Sequence, residues 1–154
     1  MFPKYHLLFG LIFSIVLLML FPSIELTGFF IIVSSSVLID VDHYLYYVFK
    51  KRDLSLKNAH RWFHNNIKKY ESLSLEHKKQ VYSGVFFLHG IESIILLILL
   101  SSHMAIFLFI LIGFIFHQIL DFIDIIQKRI KPYKVISFAY SIKETRNKKL
   151  VDEI

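Results

Sequence analysis

Long apolar stretches alternate with short polar links along this chain, and four of the stretches show no helical stripe of polar residues. They run over 7–21, 28–49, 81–101 and 104–126, and between Ile94 and Leu100 every residue is apolar. A helix packed on a soluble core carries an apolar stripe, whereas one apolar all round is buried in a large core or in lipid. The last three stretches reach the roughly 20 residues that a spanning helix needs, and the first falls short at about 15. The pattern therefore predicts an all-α fold, an integral membrane four-helix bundle. The first stretch reads as an uncleaved helix, not a signal peptide, because Leu20 and Phe21 stand where a cleavage site wants small residues.

Between the second and third stretches the period changes. Leu56, Ala59, Phe63, Ile67 and Tyr70 recur at helical spacing with Lys57, Arg61, Lys68 and Lys69 among them. This predicts an amphipathic helix on the membrane surface within the loop 50–80. Ser55 and Ser74 are expected N-caps, the second opening a helix that continues into the third span. Residues 1–131 form the expected membrane domain, and 132–154 a basic, partly ordered tail.

Charge orients the bundle. Of eighteen Lys and Arg, one is Lys4, nine lie between Lys50 and Lys79, and eight lie between Lys128 and Lys149. The links Pro22–Thr27 and Ser101–His103 carry none. The positive-inside rule places both termini and the long loop in the cytoplasm of a multi-pass plasma-membrane protein. With 55% hydrophobic residues and a mean hydropathy of +0.55, the net charge of +6 speaks for anionic lipid headgroups, and no nucleic-acid partner is expected. The absence of Cys excludes disulfides and thiolate metal sites.

Ionisable residues inside the apolar stretches break the pattern, and in hydrocarbon each is a functional candidate because of its cost. His6 stands at the mouth of the first; Asp40, Asp42 and His43 lie in the second, His89 and Glu92 in the third, and His117, Asp121 and Asp124 in the fourth. Asp40 and His43, His89 and Glu92, and His117 and Asp121 sit three or four apart, so each pair shares a helix face. Asp124 continues the face of Asp121, while Asp42 cannot share the face of Asp40 unless the helix is distorted. Counted from the outer ends, the four His fall roughly 18–23 Å deep, at one level in the cytoplasmic half. Gly90 would let helices approach closely there. Imidazole and carboxylate without sulfur suit zinc, manganese or iron in a helix bundle, and the number of donors allows two or more ions. Paired ions of this kind serve phosphoester hydrolysis. His60 and His64, four apart in "HRWFH", read as solvated residues of the surface helix, and His77 and His103 as interfacial histidines.

"KYHLLFG", "IDVDHY" and "GFIFHQILD" resemble an inner-membrane metal-dependent hydrolase family once described as LexA-binding, which is distantly similar to zinc-dependent phospholipase C and zinc single-strand nucleases. The resemblance covers residues 6 to 121 and implies a zinc phosphoesterase. The family's Pro before the first Asp is Ile39 here, and its His-Arg-Gly-x-Thr-His-Ser element is reduced to "HRWFH". His89 is the favoured completing ligand, with His60 and His64 second. The expected ligands are then His6, Asp40, His43, His89, His117 and Asp121. Glu92 is expected as ligand or general base, with Asp42 and Asp124 orienting imidazoles from behind or, failing Glu92, supplying the base. The expected substrate is a phospholipid, lipid-linked phosphate or small phosphoester, reached from the inner leaflet. The rivals are a non-catalytic metal-binding or proton-translocating membrane protein, and a haem protein with two axial His.

Overall fold

The computed structural model describes residues 3–82, 84–127, 137–146 and 148–153. Its order is α1 (Pro3–Leu20), α2 (Glu25–Leu38), α3 (Val41–Lys51), α4 (Leu56–Ser72), α5 (Leu75–Gln80), β1 (Val81–Tyr82), α6 (Ile91–Ser101), α7 (Ala105–Gln127), α8 (Phe138–Thr145) and β2 (Lys149–Leu150). Short 3-10 turns cover Pro22–Ile24 and Val151–Glu153. The fold is all-α, apart from one parallel two-stranded ribbon that pairs Val81 with Lys149 and Tyr82 with Leu150. α2 is central, packing on α7 and α1, and α6 packs on α7.

Among the described residues, three segments are long and apolar enough to cross a membrane: Pro3–Leu20, Pro22–Lys51 and Ala105–Gln127. This fits membrane association. The outward faces carry exposed Leu8, Ile12, Phe30, Ile95, Leu99 and Ile119, apolar surface suited to lipid rather than water. The fourth expected span is found within one residue at each end, and the first extends to 18 residues.

The third span is corrected. Its helix is the 11-residue α6, and 84–90 runs through irregular backbone after β1. Eleven residues rise only about 16 Å, well short of a bilayer's hydrocarbon core. The local sequence "VYSGVFFLHG" explains the difference: β-branched and aromatic residues favour extended backbone, and Gly90 caps α6 in an extended conformation. The helix opened by Ser74 accordingly stops at Gln80 instead of running on. Both expected N-caps are present, with Ser55 Oγ accepting from Asn58 N–H and Ser74 Oγ from His77 N–H.

Close approach of the spans depends on small residues. A Cβ on Gly113 would lie 2.6 Å from the Ile32 carbonyl oxygen, and one on Gly10 would meet the Ser36 side chain. α2 and α7 therefore pack backbone to backbone, and α1 closes on the small Ser36 side chain of α2.

The described part of the basic tail is ordered by docking. Leu150 and Val151 are fully buried. Lys50 pairs with Glu153 at 2.9 Å, Lys51 pairs with Asp152, and Trp62 Nε1–H donates to Asp152 at 2.9 Å. Burial works against the charge of Asp152, but Lys51 and Trp62 outweigh it and hold the carboxyl below its usual value. Residues 128–136 of the expected membrane-to-tail boundary lie outside the described residues.

Candidate metal centre

The expected ligands come from α1, the α2–α3 junction, α3, the segment before α6 and α7, and all of them meet where α2 ends. At Ile39–Asp40 the helical hydrogen bonds tighten, with Asp40 N–H bonding to Val37 O at 3.2 Å and His43 N–H to Asp40 O at 3.1 Å. These i to i−3 bonds break the regular turn between α2 and α3, so Asp40, Asp42 and His43 all reach one centre despite their spacing. The helix is thus distorted at Asp42, and the carboxylate of Asp42 hydrogen-bonds the His89 imidazole. Asp42 is buried, and its Oδ2 accepts from Leu88 N–H at 3.0 Å and from His89 Nδ1 at 3.1 Å.

The hydrogen bonds decide where the lone pairs are. A carbonyl oxygen only accepts, so the 2.8 Å contact from His117 Nδ1 to Ser36 O fixes the proton on Nδ1. The carboxylate of Asp42 does the same for His89. In the neutral rings both Nε2 atoms then carry lone pairs, and they face each other at 3.1 Å. Asp121 Oδ2 lies 3.3 Å from His117 Nε2 and 3.6 Å from His89 Nε2; Asp40 Oδ1 lies 3.7 and 3.6 Å from the same atoms. Lone pairs and anionic oxygens crowded this closely repel one another unless a cation lies among them.

The spacing fits a metal. Donors about 2.0–2.1 Å from a tetrahedral zinc stand about 3.3 Å apart, and the triangle of His89, His117 and Asp121 has sides of 3.1, 3.3 and 3.6 Å. Three overlapping groups place donor atoms within 4.8 Å of one another: His6, Asp40 and His117; Asp40, His43 and His89; and His89, His117 and Asp121. His6 is fully buried, has Nε2 3.2 Å from Asp121 Oδ1, and stacks on His117 with ring centroids 3.9 Å apart. Its Nδ1 has no hydrogen-bond partner, and the same is true of Asp40 Oδ2. His43 sits at the rim, more exposed than the other rings, stacked on Phe86 at 3.9 Å and edge-on to Phe63.

All six expected ligands are thus brought together, and Glu92 is not. It is exposed, and its carboxylate accepts from Ser137 Oγ at 2.6 Å, Phe138 N–H at 3.0 Å and Ala139 N–H at 3.2 Å, anchoring the start of α8. The shared-face argument fails because Gly90 interrupts the helix between His89 and Glu92. The close approach allowed by Gly90 is to the Phe138 backbone, which a Cβ would meet at 2.9 Å. Asp124 lies half-buried one turn beyond Asp121, outside the three groups. His60 and His64 stack on α4, also outside them. The Ser36 carbonyl, the Leu88 amide and Phe86 were not foreseen. The serine run 34–36 in an apolar helix is the one signal that could have pointed to Ser36.

Together these features define a helical, membrane-type chain with a buried His/carboxylate cluster of metal-binding dimensions. No protein-family model matches the chain, and no curated protein or solved structure matches it.

Proposed function

We propose that this chain is an integral membrane metal-dependent hydrolase acting on a phosphoester, a phospholipid or lipid-linked phosphate, from a centre that opens to the cytoplasm. The observation that carries this reading is the pair of facing Nε2 lone pairs of His89 and His117, held in those tautomers by Asp42 and the Ser36 carbonyl. Ligating imidazoles characteristically donate their other N–H to a carboxylate or carbonyl in this way. The resemblance to the inner-membrane hydrolase family, and the segregation of Lys and Arg that sets the orientation, support the same reading.

His6, Asp40, His43, His89, His117 and Asp121 would hold the metal, and an all-nitrogen and oxygen donor set suits zinc, with manganese and iron as alternatives. Bound zinc supplies an acidified water and polarises a phosphoryl oxygen. Asp42 fixes the His89 ring and the Leu88 backbone, so it is a positioning residue. Asp40 Oδ2, buried without a hydrogen-bond partner, would serve as the proton acceptor in hydrolysis. Phe86 and Phe63 shield the rim at His43 from bulk water.

The chain from Asp42 through His89 and His117 to Ser36 O also supports a second reading, a proton relay without catalysis. A bis-histidine haem is disfavoured, because the ring centroids of the pairs His6–His117, His43–His89 and His89–His117 stand only 3.9–5.1 Å apart, too close to hold a macrocycle between them. The test is hydrolysis of phospholipids, lipid monophosphates and soluble phosphodiesters by purified protein reloaded with zinc after chelation. Zinc-dependent turnover that Asp121→Ala abolishes supports the proposal. A zinc-loaded protein inert to all of them favours a non-catalytic role.

A further inference from the structure

Beside the centre lies an apolar groove of about 440 Å³ that faces outward between α2 and α7. Phe30, Ile31, Ser34 and Leu38 of α2 form one wall, and Ile106, Ile110 and Phe114 of α7 the other. On three separate elements the groove's lining residues stand close in sequence to residues of the centre. Phe114 is one turn before His117, Leu38 is four residues before Asp42, and Leu88, also in the lining, is the neighbour of His89. The Leu88 amide itself donates to Asp42. The donor cluster therefore lies close to the end of the groove marked by Leu38, Leu88 and Phe114, and the lining itself is hydrocarbon and two hydroxyls. Ser35 Oγ, one of these, is already bonded to Ile32 O.

The dimensions suit one lipid tail. From Phe30 to Leu38 a helix rises about 12 Å, against about 15 Å for the hydrocarbon depth of one leaflet. A tail in this groove would run from the level of the centre toward the opposite membrane face. We infer that the groove holds an acyl chain of a lipid whose phosphate lies at the His/Asp centre, making the substrate a membrane phospholipid or lipid phosphate and not a soluble phosphoester. The headgroup end rests on the proposed metal centre; the tail end rests on the groove alone.

Photo-crosslinking tests this without turnover. Zinc-treated protein in lipid nanodiscs would be exposed to a single-chain lysophosphatidic acid carrying a diazirine in its tail, and in parallel to the uncharged fatty alcohol with the same tail. Labelled peptides would be mapped by mass spectrometry, and zinc measured in the same sample. The phosphate probe should label Leu38, Ile106 and Ile110 at least tenfold more than the alcohol does. Ser34→Trp, which fills the groove from its exposed wall, should abolish that labelling with zinc unchanged. Equal labelling by both probes means ordinary boundary lipid and overturns the inference, as do crosslinked dimers joined through groove residues or labelling that Ser34→Trp leaves intact. Zinc bound without phosphate selectivity sinks the groove and spares the metal centre. Phosphate-selective labelling without zinc does the reverse.

Discussion

Asp42→Asn keeps the shape of a buried side chain and removes its charge, which isolates the role assigned to it. Asp42 Oδ2 accepts from both the Leu88 amide at 3.0 Å and His89 Nδ1 at 3.1 Å, so it sets the ring's tautomer and the backbone that carries it. An amide oxygen can still accept there, though as a weaker base, and the adjoining NH₂ would replace Asp42 Oδ1, 3.1 Å from His43 Nδ1. Outer partners of ligating imidazoles contribute about 10–100-fold in metal affinity, equivalent to roughly 1.4–2.7 kcal/mol. Competition against a fluorescent zinc chelator should therefore show a weaker site with about the same stoichiometry. A direct ligand would instead lose nearly all its metal, and a general base would keep its affinity and lose only turnover. Affinity within twofold of wild type would refute the positioning role.

Three further outcomes follow from the packing. Gly113→Ala drives a Cβ against the Ile32 carbonyl oxygen, and overpacking of this kind costs about 1–3 kcal/mol; an unchanged melting temperature in detergent would contradict the close α2–α7 contact. Glu92→Ala should loosen α8, read as faster tryptic cleavage at Lys143, while metal content stays within twofold of wild type. Loss of metal in that variant would return Glu92 to the ligands. The Asp152 carboxyl is held below its unfolded value of about 3.9, so its contribution to tail docking is complete above that pH and fades as pH falls through the lowered value. Amide protection factors at Lys149 and Leu150, with the intrinsic pH dependence of exchange divided out, should fall below about pH 4 in wild type, and Asp152→Asn should remove that fall; identical profiles would count against the Lys51–Asp152–Trp62 anchor.

Much of the fold was legible because the apolar runs are long. α7 matched to a residue at each end, and Ser55 and Ser74 cap as their side-chain chemistry requires. The third span misled because all-round apolarity does not separate a helix from extended backbone shielded by other elements. Gly84, Gly90 and the run of Val and Phe between them were the better guide to 84–90. The candidate ligands were legible for an energetic reason: His and Asp in an apolar helix need partners, and here they partner one another. Glu92 was misplaced by the same third-span error, since its spacing from His89 has meaning only in an unbroken helix. The Ser36 carbonyl, a backbone group, leaves no trace in side-chain chemistry beyond the small residues that let α7 come close to it.

The central claim is that these side chains form a metal centre, and elemental analysis of protein purified in mild detergent tests it most directly. Wild-type protein should carry near-stoichiometric or higher zinc, or manganese or iron in its place. His117→Ala and Asp121→Ala should strip most of it, because each removes a donor shared within a closed cluster. His103→Ala, outside every donor group, should leave the content unchanged. Equal metal in all four proteins, or none in wild type after reloading, would contradict the account.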